Sequence, residues 1–320
     1  MRRVLITGAA GFLGQRLAER LTATSDLVLW DRLEAALPAA TGGDVRTVVG
    51  DLLDPAVIEN AIGDGVDLVV HLAAVVSAEA EADFDLGMGV NFDGTRRLLE
   101  SCRAKGGQPR FVMTSSVAVF GGEMPDRVPD SWAPTPRSSY GTEKAMCELL
   151  LNEYSRRGFV DGRVLRLPTV VVRPGRPNKA ASSFASSIIR EPLNGEAAVC
   201  PVGPETPMWL MSPGRAVDAL ILGCELPASA LGDNRTISMP GLTVTVGEMV
   251  AALGELGGEA AVARISWQAD PVIEAIVASW PGGFEAERAI ALGFQGDTSM
   301  LDIVQAHLAE KLIAGARPNP

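Results

Sequence analysis

Six short and nearly uninterrupted apolar runs occupy the first half of the chain. They are VLIT (4–7), LVLW (27–30), TVVG (47–50), DLVVHLA (67–73), RFVMTS (110–115) and RVLRLP (163–168). A strand that is apolar on both faces must be covered on both faces, which is the situation of a parallel sheet between helical layers. Helix-like stretches separate the runs: FLGQRLAERLTA, PAVIENAIG, VNFDGTRRLLESCRAKG and SYGTEKAMCELLLNEYSRRG. The second opens on Asp54-Pro55, a cap residue followed by proline at the first helical position. Strand-helix alternation of this kind predicts an α/β fold with a doubly wound, right-handed parallel sheet.

The rhythm changes after about residue 170. VRPGRPNKAASS reads as a basic loop, SFASSIIREPLNG as a helix, AAVCPV as a strand and SPGRAVDALILGCEL as a helix. TISMPG reads as a late strand, and TVGEMVAALGELG as a helix with a threonine cap and Glu248 near its third position. The remainder has the pattern of small α+β material. The expected division is a nucleotide-binding domain over 1–172 and a smaller, mainly substrate-binding lobe over 173–320, with 210–240 returning to the first domain.

Composition narrows the function classes. A net charge of −11 argues against a surface that tracks nucleic-acid phosphates. The four cysteines are scattered without a CxxC pair, and two histidines are too few for a His-based metal centre, so no metal is expected. The apolar run of MRRVLITG is broken by glycine too early for a secretion signal or membrane span, which predicts a cytoplasmic protein without membrane contact.

TGAAGFLG (7–14) joins the first strand to the first helix. Gly8 allows the tight turn, Gly11 lets the backbone approach a pyrophosphate, and Gly14 lets helix and strand pack closely. The helix start offers amide donors and a positive dipole end to phosphates. A ligand-free turn would also use these glycines. The deciding context is Asp31, which ends the second strand about 20 residues on, where a carboxylate accepts from both ribose hydroxyls and repels a 2′-phosphate. The expectation is a Rossmann-type domain binding NAD in preference to NADP. GDLLD (50–54) places Asp51 and Leu52 beside the adenine, although Asp51 is equally suited to a turn.

YGTEK (140–144) sets Tyr140 and Lys144 four apart on one helix face. A phenol of pKa ~10 is a poor base at neutral pH, and a neighbouring ammonium would lower that value. TSSVAVFG (114–121) brings Ser115 and Ser116 to the same sheet edge, where a hydroxyl can hold a substrate alcohol beside the tyrosine.

Together TGAAGFLG, GDLLD, HLAA (71–74), VNFDGT (90–95), TSSVAVFG, YGTEK and RLPTVVVRPG (166–175) run in the order found in the extended short-chain dehydrogenase/reductase family. The chain resembles its NAD-dependent epimerase/dehydratase branch over roughly the first 175 residues. The resemblance implies that Ser116, rather than Ser115, is the catalytic serine, that Tyr140 is the acid/base, and that Lys144 lowers its pKa and holds the nicotinamide ribose. It implies support from Asn91, a cofactor cleft lined by Phe12, Leu13, Leu72, Ala73 and Ala74, and Pro168 and Thr169 near the nicotinamide. It also implies a homodimer in which two helices per subunit form a four-helix bundle.

Most members of that branch act on nucleotide-diphosphate sugars and carry an arginine ten residues before the aspartate of a late helix. Counting back from Asp218 reaches Met208, and the asparagine often found after the sixth strand is replaced by Thr169. A thioether donates no hydrogen bonds to a diphosphate. Arg173, Arg176 and Asn178 in the loop, together with Ser77 and Arg215, are candidate groups for a small anion instead. VVRPGRPNKAASSFASSIIREPLNG resembles the subgroup that oxidises the C2 hydroxyl of a four-carbon sugar acid, D-erythronate. The expected activity is NAD-dependent oxidation of such an acid. The alternatives are a nucleotide-sugar epimerase or dehydratase that retains its NAD, and a non-catalytic dinucleotide sensor on the same fold.

Overall fold

The structure is a computed structural model that describes residues 1–39, 42–175 and 180–316, with side chains through residue 311. The first half alternates as the apolar runs require. In order come β1 (Arg2–Thr7), α1 (Phe12–Leu21), β2 (Ser25–Asp31), β3 (Val45–Val49), α2 (Pro55–Ile62), β4 (Leu68–His71), α3 (Ser77–Ala82) and α4 (Phe84–Gly87). A π-helical segment, Met88–Gly94, then runs straight into α5 (Thr95–Lys105), followed by β5 (Arg110–Ser116), α6 (Ser139–Arg156) and β6 (Asp161–Leu167). Later elements are β7 (Thr169–Val170), α7 (Ser183–Leu193), β8 (Ala198–Cys200), β9 (Pro207–Met211), α8 (Pro213–Glu225), β10 (Thr236–Ser238), β11 (Leu242–Thr245) and α9 (Val246–Gly257).

Seven strands form one sheet in the order β10-β6-β5-β4-β1-β2-β3, and every neighbouring pair is parallel. The period-two geometry of a strand divides each run between two helical layers. Val4, Ile6, Leu27 and Leu29 join the core under α1 and α8, whereas Leu5, Val28 and Trp30 face the layer of α2, α5 and α6. The strand order reverses between β1 and β4, so their carboxyl ends open a crevice of the kind in which doubly wound folds bind ligands.

A second core gathers α7, β9, α9 and the last helix, Met300–Ala316, around Ile188, Met208, Leu210, Met249 and Ile303. Its small sheet pairs β9 in parallel with β7, which directly follows β6, and antiparallel with β11. The expected cap of α9 is a full capping box: the Glu248 amide donates to Thr245 Oγ1 at 3.1 Å, and the Thr245 amide to Glu248 Oε2 at 2.6 Å. The late strand at 236–238 extends the main sheet beyond β6, and α8 packs against α1.

Two elements differ from the sequence expectation. The run 67–73 leaves the sheet after His71, so that Leu72, Ala73 and Ala74 line the crevice. The helix expected over 90–106 begins earlier and is π-helical through Gly94. The Asn91 carboxamide on this segment braces Val75, accepting from the amide at 2.8 Å and donating to the carbonyl at 3.0 Å. Wide turns of this type concentrate at functional sites.

The glycine turn is sterically compulsory. Gly8 has φ of +71°, and a Cβ there would lie 2.7 Å from the Ala73 amide nitrogen. A Cβ on Gly14 would lie 2.3 Å from the Gly8 carbonyl oxygen. Gly14→Ala is therefore expected to destabilise the protein by about 1–3 kcal/mol in urea unfolding and to weaken dinucleotide binding. Unchanged values for both would mean that α1 can shift outward freely.

Candidate active site

Two cavities lie along the carboxyl edge of the sheet. The first, about 280 Å³, is lined by Gly8, Gly11, Asp31, Asp51, Leu52 and the Leu72–Ala74 segment. All of these are residues that the sequence assigned to a dinucleotide. Asp31 is held at the end of β2 by backbone donors: the Ala10 amide reaches Oδ2 at 3.0 Å and the Leu33 amide reaches Oδ1 at 3.2 Å. The turn and the carboxylate are thus locked together. Trp30 closes the other side, its indole N–H donating to the Gly50 carbonyl at 3.1 Å. The bare glycine backbone, the helix start and the carboxylate fit a dinucleotide with unphosphorylated ribose hydroxyls.

The second cavity, about 190 Å³, brings Phe12, Leu13, Ser77, Ser116, Tyr140, Pro168, Thr169 and Arg173 to one place. These come from six separate segments of the chain. The Ser77 hydroxyl accepts from the Ala181 amide at 3.1 Å and so ties the start of α3 to the segment preceding α7.

The two serines at the end of β5 have different surroundings. The buried Ser115 hydroxyl donates to Glu148 Oε1 at 2.6 Å, and Glu148 also takes a two-point bond from Arg166 at 2.9 and 2.6 Å. Ser115 is thereby committed to a buried network. Ser116 Oγ accepts only from the Ala118 amide, at 3.1 Å, and keeps its proton for a ligand among the bonds of the described residues.

Lys144 is buried and donates to the Thr114 carbonyl at 3.0 Å, with its ammonium 5.7 Å from the centroid of the Tyr140 ring. Burial holds its pKa down, opposed by Cys147, Glu143 and Glu148. Tyr140 is pushed up to about 12, first by burial and then by the adjacent carboxyl of Glu143, with Arg173 acting in the opposite direction. The sequence assigned the pKa-lowering role to Lys144. Among the charges that act on the phenol Arg173 favours its ionisation, while the Lys144 ammonium lies over the ring face and donates to the Thr114 carbonyl.

Asn91 reaches neither cavity. Its carboxamide is committed to Val75 and to Glu143 Oε2, 2.6 Å away, which makes it a brace between the cleft wall and α6. Gly14 likewise serves by packing alone. Arg215 departs from its expected role: at the start of α8 its guanidinium bonds Gln295 at 2.9 Å, and it lines neither cavity. Arg176 and Asn178 lie outside the described residues.

Other residues at the site carried no sequence signal. Trp280 reaches the Ser116 cavity from beside the second core, far along the chain from any motif. Glu143 lies within YGTEK, between Tyr140 and Lys144. It is buried, its carboxyl pKa is raised by burial, and Oε1 has no bonding partner among the described residues. Gly87 makes room for it, since a Cβ there would be 2.3 Å from Oε1. Met208 is buried in the second core, and no guanidinium occupies its place.

Comparison with known proteins places this geometry. A D-erythronate dehydrogenase of Cupriavidus necator is 54% identical over 97% of this chain and 99% of its own length. A D-erythronate dehydrogenase of Haemophilus influenzae is 48% identical over 95% of this chain and 98% of its own. The crystal structure of a nucleoside-diphosphate-sugar epimerase from Agrobacterium tumefaciens superposes with a TM-score of 0.91 at 44% identity, covering 97% of this chain and 94% of that one. The family model for the NAD dependent epimerase/dehydratase family matches residues 4–210. The chain belongs to the NAD dependent epimerase/dehydratase family.

Proposed function

We propose that the protein oxidises the C2 hydroxyl of D-erythronate with NAD, forming 2-oxo-D-erythronate and NADH. The observation that carries the reading is near-full-length identity with two D-erythronate dehydrogenases, 54% and 48%. The second cavity supports it, since Ser116, Tyr140 and Arg173 line one space of about 190 Å³. That is small beside the roughly 300–1,000 Å³ of sites for drug-sized ligands, and suits a four-carbon acid.

In this mechanism Arg173 holds the substrate carboxylate, Ser116 holds the C2 oxygen, and the Tyr140 phenolate takes the hydroxyl proton. Lys144 steadies the nicotinamide ribose, and Pro168 and Thr169 bound the nicotinamide site. NAD bound in the first cavity would supply the hydride acceptor for C2. Asp31 disfavours a 2′-phosphate, which makes NAD the preferred cofactor over NADP. Residues 1–172 with 210–240 would form the cofactor half, and the rest the substrate half. A cytoplasmic homodimer formed through α5 and α6 completes the proposal, motivated by Leu149, which is 74% exposed on α6.

The nucleotide-sugar epimerase is the second reading, favoured by the likeness to the Agrobacterium tumefaciens structure. Buried Met208 argues against it, because a thioether offers a diphosphate no donor. A spectrophotometric screen separates the two. NADH should form with D-erythronate and NAD, more slowly with longer sugar acids and with NADP, and not with UDP-sugars. Epimerisation of a UDP-sugar without net NADH would overturn the substrate reading.

Tyr140→Phe should lower kcat at least a hundredfold while NAD affinity, measured by calorimetry, changes little. A near-normal rate would remove Tyr140 from the chemistry.

Arg173→Ala should act twice. Loss of the carboxylate partner raises KM at least tenfold. Loss of the cation that opposes the upward shift of Tyr140 raises the phenol pKa further. The base is the deprotonated form, so the oxidation rate rises with pH, and the acid limb of the kcat profile should move to higher pH in the variant. An unmoved limb with raised KM would confine Arg173 to binding.

A further inference from the structure

His71 ends β4 fully buried, and none of the chemistry proposed above uses it. Its two ring nitrogens each meet one hydroxyl: Nδ1 is 2.7 Å from Thr7 Oγ1, and Nε2 is 2.9 Å from Thr95 Oγ1. The directions of these bonds can be worked out. The single hydroxyl proton of Thr95 is given to the Asn91 carbonyl at 2.6 Å, because a carbonyl can only accept. Toward His71, Thr95 must therefore accept, which places a proton on Nε2. A neutral ring with Nε2–H has a bare Nδ1, which accepts from the Thr7 hydroxyl. Thr7 Oγ1 in turn accepts from the Ala73 amide at 3.3 Å. The whole chain then runs one way, from the Ala73 amide through Thr7, His71 and Thr95 to the Asn91 carbonyl, with every donor matched. A second proton on the ring would break it, since Thr7 would then have to accept from both sides and its own proton would be orphaned. Burial, and after it the charge of Lys144, hold the ring pKa down to about 3, consistent with a permanently neutral imidazole.

We infer that His71 is a positioning residue which, as the fixed Nε2–H tautomer, couples the floor of the cofactor crevice to the π-helical turn that carries Asn91. The two ends of the chain are sites of function. Thr7 and Ala73 line the first cavity, and Ala73 lies against Gly8 so closely that a Cβ could not pass between them. Asn91 braces Val75 and Glu143, beside Tyr140 and Lys144. Thr95 lies outside both cavities, yet through His71 it sets the spacing of the crevice walls. The inference rests on the first cavity being the dinucleotide site, and not on the identity of the substrate.

The intact protein supplies the first test. With the two histidines labelled with nitrogen-15 and the His307 signals assigned by His307→Gln, nitrogen chemical shifts should give His71 as protonated on Nε2 alone, without titration from pH 5 to pH 9. A proton on Nδ1, or titration within that range, would overturn the inference. The second test is Thr95→Val, which matches the side chain in shape and removes the hydroxyl. It should weaken NAD binding about tenfold in calorimetry, Thr95→Ser should restore it, and Thr95→Val should cost nothing further in a His71→Leu background. Undiminished NAD affinity in Thr95→Val, or full additivity with His71→Leu, would assign the threonine to local helix stability alone. If Thr95→Val does not fold, the tautomer measurement decides. Failure of NAD to bind the parent protein would instead count against the cofactor reading.

Discussion

A buried carboxylate fastens together the parts that the site depends on. Glu148 on α6 accepts two bonds from Arg166 on β6 and one from Ser115 on β5. Tyr140 and Lys144 stand on the same helix, and Ser116 follows Ser115 on the same strand. The relative placement of hydroxyl, phenol and ammonium is thus set one layer behind the cavity. A paired buried charge contributes little to stability by itself, but a stranded partner costs about 3–5 kcal/mol, so the arrangement tolerates few alternatives. The Arg166 guanidinium also lies 4.7 Å from the centroid of the Phe120 ring, which links this network to the aromatic cluster of Phe120, Trp209 and Phe284 between the lobes.

The acid/base centre is an electrostatic compromise. Glu143 is tied to Asn91 and sits next to Lys144, and its charge opposes ionisation of Tyr140 while Arg173 favours it. Lys144 is buried and Tyr140 half-buried at the cavity wall, and burial shifts the lysine down and the tyrosine up from their ordinary values. A phenol whose pKa is raised gives up its proton reluctantly. Such a base becomes effective only when cationic groups gather around it, and Arg173 is the group that this chain supplies from the substrate side. Its backbone is positioned by α7: the Arg173 amide donates to Ser186 Oγ at 3.0 Å, and its carbonyl accepts from Arg190 at 2.6 Å.

Much of this architecture was legible in the linear chain. Alternating runs over 4–168 announced a parallel sheet, since only burial on both faces explains unbroken apolar strands. TGAAGFLG and Asp31 identified the crevice because the turn leaves no space for side chains at Gly8 and Gly14 and because the carboxylate follows at the next strand end. Ser116, Tyr140, Pro168, Thr169 and Arg173 were nominated from motifs and meet in one cavity. Arg215 was nominated from charge alone, and charge does not say which partner a side chain will meet.

What the sequence by itself determined was local: strand and helix periods, a glycine turn, a tyrosine and lysine one helical turn apart, and a threonine cap answered by Glu248. Only the tertiary structure shows what engages Ser115 and leaves Ser116 open, because that depends on Glu148 and Arg166, 33 and 51 positions away from Ser115 in the chain. The same holds for Trp280 entering the cavity from beside the second core, for Glu143 opposing ionisation of Tyr140, and for the direction of the bonds through His71. Dihedral preference and hydrophobic period act over a few residues and can be read in one dimension. Burial, charge and hydrogen-bond partnership act through space, and they exist only once the sheet has brought distant strand ends together.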